Sequence, residues 1–171
     1  MKKILTIGLA ALFFIGCSTT STIKERQNYS DNVSIASTVN KSESISVVVL
    51  GKTEDEDEVN LLRTELIDQF RQNGFVITEN NPMVMIKVEI TDIKKVSRGT
   101  RMLLGALAGK AMIEVGVVII KNNQTVSAFE LKTESISFTG WGGSPGTTKQ
   151  ALSESAEKLV KIIANGKDMP D

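Results

Sequence analysis

The sequence contains no histidine and only one cysteine, one tryptophan and one tyrosine among its 171 residues. Without histidine it lacks the side chain that most often transfers protons near neutral pH and most often ligates zinc or iron. A single cysteine cannot close an internal disulfide. Lys plus Arg equals Asp plus Glu at 20 each, so no net field attracts nucleic acid or another polyanion. We therefore expect no metal, no cofactor and no nucleic-acid partner.

The first 16 residues have the layout of an export signal. Lys2 and Lys3 precede an apolar run over 4–15, and polar residues begin directly after Cys17. The run is too short to cross about 30 Å of hydrocarbon at about 1.5 Å per residue. We therefore predict a signal peptide at 1–16 that is not part of the fold.

Residues 14–17, Phe-Ile-Gly-Cys, resemble the lipobox of bacterial lipoproteins, with Phe14 in the place of the usual leucine. The resemblance implies that Cys17 carries a thioether-linked diacylglycerol and an amide-linked acyl chain such as palmitate. Two or more buried chains, at about 0.8 kcal/mol per CH₂, anchor a protein durably. The alternative is an ordinary apolar cysteine in a signal or core segment. By resemblance to enterobacterial sorting, Ser18 implies the outer membrane, facing the periplasm, rather than the inner membrane.

A segment rich in Ser, Thr and Asn, residues 17–44, includes the cysteine and the residues after it. Its few apolar residues are scattered, which predicts an unpaired tether. As a coil it would reach about 30 Å and hold a folded domain clear of the headgroups. Residues 33–39 alternate apolar and polar side chains, so an extra edge strand at that position is the alternative.

Apolar residues spaced by three and four predict two amphipathic helices. The residues expected on the buried faces are Val59, Leu62, Leu66 and Phe70 in the first helix and Leu152, Ala156, Leu159 and Ile163 in the second. Thr53 and Glu56 form a capping-box pattern before the first helix. Gly74 predicts a left-handed end to the same helix.

Several segments between and around these helices have the patterns of strands. Residues 47–50 are an uninterrupted apolar run, which predicts a strand buried on both faces. Residues 84–91 alternate between apolar and polar side chains, which predicts a strand with one buried face and one solvent-exposed face. The last strands form a long hairpin that turns at Asn122 and Asn123, residues that tolerate positive φ. On its return strand, the residues expected in register with the core are Val126, Ala128 and Glu130.

The predicted order of elements is β-α-β-β-β-β-α. If one face of the sheet is exposed to solvent, the two helices pack on its apolar face, which gives an α+β two-layer sandwich. We expect a mostly antiparallel sheet of about five strands with two helices on one face. This single domain is placed at 45–166, followed by a tail at 167–171, in a chain of a size that suits one core.

The segment 102–111, MLLGALAGKA, has glycines and a lysine like those of a phosphate-binding loop. A P-loop requires G-x-x-x-x-G-K-[ST] at the start of a helix. Here Gly105 and Gly109 enclose only three residues, and Ala111 stands in place of the hydroxyl. We therefore expect no nucleotide. A membrane span over 102–120 is also disfavoured, because Lys110 and Glu114 would each cost about 2.5–3.5 kcal/mol.

Two interpretations of this loop stay open. In one, its apolar residues cap an end of the core. In the other, they form an exposed patch flanked by basic residues that docks a partner. The residues of this candidate docking loop are Arg98, Arg101, Met102, Leu103, Leu104, Leu107 and Lys110.

Residues 97–135, SRGTRMLLGALAGKAMIEVGVVIIKNNQTVSAFELKTES, combine an arginine, an apolar pair, a glycine loop and a long alternating hairpin. This combination resembles a family of bacterial cell-envelope lipoproteins whose domain has no assigned function. The resemblance implies a role in the envelope. A weaker likeness in layout is to periplasmic strand–helix modules of lipoproteins that assemble or regulate larger machines.

A lipid anchor, a tether and the lack of a catalytic constellation predict a non-catalytic protein-interaction or envelope-assembly module. Its expected partners are the membrane, through the anchor, and another envelope protein or the cell wall. One alternative is a structural subunit or regulator of an envelope secretion or transport complex. The other is an envelope hydrolase, for which Glu114 and Glu130 are candidate acids without an identifiable base.

Overall fold

The computed structural model describes residues 19–25, 39–95, 111–135 and 147–165. The strands are β1 (Thr19–Glu25), β2 (Ser44–Leu50), β3 (Val76–Ile77), β4 (Val84–Lys94), β5 (Ala111–Lys121) and β6 (Gln124–Ser135). The helices are α1 (Glu56–Gln72) and α2 (Thr147–Asn165), and a short 3-10 turn at Thr53–Asp55 precedes α1. From β2 onward the elements follow the predicted order, and the predicted α+β class is confirmed.

All six strands belong to one mixed sheet with the order β1-β6-β5-β4-β2-β3. The neighbours β4, β5, β6 and β1 pair antiparallel, whereas β2 runs parallel to both β4 and β3. The parallel pairs arise because α1 crosses over after β2 and returns the chain in the original direction. The sheet is therefore mostly antiparallel, as predicted.

Both helices cover the same face of the sheet. α1 packs on β2 and β3, α2 packs on β5 and β6, and the helices pack on each other. The helix residues predicted to face the core are buried, apart from the half-buried Val59: Leu62, Leu66, Phe70, Leu152, Ala156, Leu159 and Ile163. No described helix covers the opposite side of the sheet, which carries Val48, Lys87 and Val118. We call this side the open face.

The strand β2 has only one buried face. Ile45, Val47 and Val49 are buried against the helices, whereas Val48 is half-buried and Leu50 is 51% exposed. The prediction that 47–50 is buried on both faces is wrong, because α1 and α2 lie on the same side of the sheet.

The two ends of α1 differ in how well the sequence predicted them. The helix begins at Glu56 with Asp55 as its N-cap, so Thr53 is not the N-cap that the predicted capping box requires. Its C-terminal end is as predicted, because Gly74 has a φ of 85°. The N–H of Phe75 then donates to the carbonyl of Phe70 at 3.0 Å, which closes the end of the helix.

The hairpin between β5 and β6 turns where predicted, but its return strand has a different phase. Asn122 and Asn123 have φ values of 52° and 61°. Ile119 pairs with Ser127 and Ile120 pairs with Thr125, so Val126 is the extra residue of a β-bulge. The bulge reverses the alternation beyond it: Ser127, Phe129 and Leu131 lie on the core face, whereas Ala128 and Glu130, which were predicted there, do not. Val126, the third residue predicted there, is half-buried and packs against the core.

Part of the segment predicted to be an unpaired tether belongs to the sheet. Thr19–Glu25 forms β1 and pairs with β6 from Thr19–Ser135 to Glu25–Phe129, so the tether prediction does not hold for these seven residues. The open edge of β6 explains the pairing, because an unpaired edge offers a row of backbone donors and acceptors. Residues 33–38 of the alternative edge strand lie outside the described residues, and Val39 is buried.

Candidate interaction surfaces

The sheet has two ends that differ in what they carry. At one end Thr19 pairs with Ser135, Ser135 pairs with Ala111, and Lys94 pairs with Met112. We call this the Thr19 end. At the opposite end, which we call the turn end, Lys121 precedes the Asn122–Asn123 turn. β5 joins the two ends, and its 11 residues span about 35 Å at roughly 3.3 Å per residue.

The site residues predicted from sequence lie outside the described residues. They are Cys17, Arg98, Arg101, Met102, Leu103, Leu104, Leu107 and Lys110. The structure does describe the residues that flank them. Thr19 is the second residue after Cys17, and Lys95 and Ala111 flank the segment 96–110. All three flanking residues lie at the Thr19 end.

Lys95 joins the last residues of β4 to the start of α1. Its ammonium nitrogen lies 2.7 Å from a carboxylate oxygen of Glu58 and 3.7 Å from one of Asp55. The hydrogen bond to Glu58 is the main reason why the pKa of Lys95 is raised above 10.5, and the charges of Glu58 and Asp55 add to it. The acidic start of α1 therefore also lies at the Thr19 end, next to the point where the segment 96–110 leaves the sheet.

The open face is apolar towards the turn end. Cross-strand pairing places Met85 beside Ile120, and Val118 lies one row further along the strands. Two of the three large apolar side chains that are more than half exposed lie at this end: Val76 at 57%, paired with Ser44, and Met83 at 55%, directly before Val84. The third, Leu50 at 51%, pairs with Glu89 and lies further towards the Thr19 end. This apolar region is the most exposed hydrophobic surface among the described residues, and such surfaces mark interaction sites when they are contiguous.

The open face is charged towards the Thr19 end. Lys132 lies 3.4 Å from Glu134 and 3.5 Å from Glu114, measured between nitrogen and oxygen. The hydrogen bond to Glu134 is the main cause of the raised pKa of Lys132, followed by the charges of Glu134 and Glu114. Glu114, the first candidate acid, is thus part of an ion cluster on the open face.

Glu43 and Lys121 form the most buried ion pair at the turn end. The ammonium group of Lys121 donates to Glu43, and the N–H of Asn40 donates to the second carboxylate oxygen at 3.1 Å. The side chain of Glu43 is only 12% exposed. The Lys121 hydrogen bond lowers the pKa of Glu43 below 4.5, burial opposes this, and the Asn40 hydrogen bond adds to the lowering. The pair fixes the segment before β2 to the end of β5.

Glu43→Gln is expected to make the protein less stable at neutral pH but not in acid. A carboxylate whose folded-state pKa is depressed stabilises the fold above its unfolded pKa, and this stabilisation is lost as the pH falls through the folded pKa. We expect a loss of roughly 1–2 kcal/mol at pH 7, shrinking once the pH falls below the ordinary value of 4.5. Urea unfolding from pH 7 to pH 3 measures it.

The matched control for this prediction is Glu79→Gln. Glu79 also accepts a hydrogen bond from a basic side chain, Arg63 at 3.2 Å, but it is 85% exposed. Its loss is expected to cost less than about 0.5 kcal/mol, since exposed ion pairs contribute little. Equal pH profiles for the two variants would contradict the role given to Glu43.

Two kinds of structural feature are absent from the described residues. They contain no group of three or more Cys, Asp or Glu side chains arranged to hold a metal ion. They also contain no helix that is both long and apolar enough to cross a membrane.

Comparisons with known proteins identify the fold. No protein-family model matches the chain, and no curated protein matches it either. Among solved structures, the PelC dodecamer from Paraburkholderia phytofirmans aligns with a TM-score of 0.55 and 12% identity, covering 85% of this chain and 97% of its own. Protein XCC0632 from Xanthomonas campestris, a DUF330 protein, aligns with a TM-score of 0.51 and 11% identity, covering 76% and 92%.

At 12% and 11% sequence identity, these two likenesses show a shared fold and nothing more. The chain has the same α+β fold as a dodecamer-forming protein and as a protein with a domain of unknown function. The sequence resemblance predicted a domain that has no assigned function. One structural neighbour, the DUF330 protein, has a domain of that kind, and the agreement concerns the fold alone.

Proposed function

We propose that this protein is a lipid-anchored envelope lipoprotein that faces the periplasm and acts as a non-catalytic interaction or assembly module. The observation that carries the proposal is the N-terminal sequence, an apolar run that ends at the lipobox-like residues 14–17. The outer membrane is the proposed location because Ser18 follows the cysteine. A non-catalytic role is supported by the ion pairing of Glu114 and by neighbours that do not have the names of enzymes.

The test of the anchor is metabolic labelling with palmitate. We expect the protein to incorporate the label and to sediment with outer-membrane vesicles in a sucrose gradient. Cys17→Ser is expected to lose the label, because no other cysteine is present. The control Ser18→Ala keeps the thiol and is expected to keep the label. An unlabelled parent protein would overturn the proposal, and a labelled one in the inner membrane would overturn only the location.

We further propose that the candidate docking loop, Arg98 to Lys110, binds an envelope partner. The support is its composition, apolar residues between basic ones, and its attachment to the sheet at Lys95 and Ala111. Photo-crosslinking from Leu103 or Leu107 is expected to capture an envelope protein that the same crosslinker at Asn123 does not capture. Identical adducts from both positions, or no adduct from the loop, would contradict docking at this loop.

A second candidate function is that of a structural subunit in an envelope secretion or transport complex. The specific observation in its favour is that a chain with this fold forms a dodecamer. The exposed apolar side chains Val76 and Met83 at the turn end offer a surface that assembly would bury. Native mass spectrometry of the acylated protein in detergent tests it. A closed oligomer supports a subunit, and a monomer at all accessible concentrations excludes self-assembly.

A further inference from the structure

Very little chain separates the proposed anchor from the folded domain. Ser18 is the only residue between Cys17 and Thr19, and Thr19 is already paired with Ser135. Two steps of extended chain cover at most about 7 Å. A tether running from Cys17 to Ser44 would instead reach about 30 Å. Pairing of β1 therefore shortens the connection between Cys17 and the folded domain by a factor of roughly four.

The position of Thr19 decides which part of the domain lies next to the anchor. Thr19 is the first residue of β1, and its neighbours along the sheet are Ser135, the last residue of β6, and Ala111, the first of β5. The Asn122–Asn123 turn is at the far end of β5, about 35 Å away. A domain that is held within about 7 Å of the membrane at Thr19 keeps this end next to the surface, whereas its turn end can lie about 35 Å further out.

We propose that in the acylated protein the Thr19 end of the sheet rests against the lipid headgroups and that the turn end faces away from the membrane. The inference depends on the proposed function, because it requires that Cys17 carries the acyl chains. The partner at this surface is the bilayer that holds those chains. The long axis of β5 and β6 then stands away from the membrane instead of lying along it.

The described residues at the Thr19 end carry charges of both signs. Lys94 is exposed at the Thr19 end, but the acidic start of α1 is there too, since Asp55 and Glu58 lie beside Lys95. Attraction to anionic headgroups and repulsion from them oppose each other at this end. The covalent anchor and the seven-residue pairing of β1 carry the orientation, so it is expected to be insensitive to ionic strength.

This orientation restricts the partners that the domain can bind. The chain leaves the sheet after Lys95 and returns at Ala111, both at the Thr19 end. A protein that docks on the intervening segment must approach along the membrane surface. The apolar region of the open face lies towards the turn end and stays accessible from the periplasm.

The test uses the purified acylated protein in vesicles that contain lipids with a quencher on the headgroup. Single cysteines are introduced as Lys94→Cys at the Thr19 end and Asn123→Cys at the turn end, both exposed positions, and labelled with a fluorophore. Acylated Cys17 has no free thiol to react. We expect strong quenching at position 94 and none at position 123, unchanged between low and high salt.

A lengthened protein provides the matched control. Twenty Gly and Ser residues inserted between Ser18 and Thr19 leave β1 intact and extend the connection from Cys17 to Thr19 to about 25 Å. Quenching at position 94 is then expected to fall towards that at position 123. Equal quenching at both positions without the insertion, or no change on inserting it, would overturn the orientation while the anchor stands. Mass spectrometry that finds unmodified Cys17 would overturn the proposed function, and this orientation with it.

Discussion

Phe70→Ala is expected to lower the free energy of unfolding by about 3–5 kcal/mol, the usual cost of removing a buried phenylalanine. The Phe70 side chain is fully buried on the core face of α1. Its ring meets that of Phe75 edge-to-face, with the centroids 5.3 Å apart and the planes at 88°. Truncation therefore removes a large buried surface and the aromatic pair together. Urea unfolding followed by circular dichroism measures the loss.

Arg71→Ala is the control, because it truncates the next residue of the same helix. Its side chain is 63% exposed, and its nearest acidic partner, Asp68, is 4.0 Å away. We expect a change within about 0.5 kcal/mol, as for most exposed substitutions. Similar losses for the two variants would mean that α1 does not pack on the sheet as described.

Deletion of Glu130 is expected to cost about 3–5 kcal/mol, because it moves Phe129 out of the core. Leu131 pairs with Val115 and is fully buried. If Leu131 keeps its partner, the residues before the deletion move one position along β5. A shift of one residue reverses the face on which a strand side chain lies. Phe129 then moves to the open face, and Ala128 takes its place against the helices.

The informative control is a second deletion in the same strand, that of Val126. Val126 is the extra residue of the bulge, so its removal leaves Thr125 paired with Ile120 and Ser127 paired with Ile119. The fully buried residues of β6 keep their face and only the packing of the half-buried Val126 is lost, so we expect a cost of about 1–2 kcal/mol. Equal urea midpoints for the two deletions would contradict the position of the bulge.

The fold was predictable wherever residues close in sequence set it. The helical spacing of Leu62, Leu66 and Phe70 identified the buried face of α1, and Gly74 identified its end. The asparagine pair identified the hairpin turn. In each case the physical cause lies within a few residues: the 3.6-residue period, or the cost of positive φ for most side chains.

The candidate surfaces were less predictable. The ion pair of Glu43 with Lys121 joins residues far apart in the chain, and so does that of Lys95 with Glu58. No spacing rule brings such residues together before the sheet order is known. The apolar region of the open face was missed for the same reason, because its residues come from different strands. The docking loop and Cys17 remain predictions, supported by their composition and by the lipobox-like sequence.

The sequence by itself determined the order of elements from β2 onward, the α+β class and the buried faces of both helices, since these follow from local periodicity. Only the tertiary structure decided the phase of β6 and the pairing of Thr19–Glu25 with it. A bulge reverses the alternation of a strand without altering its composition. A polar segment becomes a strand when a sheet offers it an unpaired edge. Both outcomes depend on a neighbouring strand, which a local pattern does not contain.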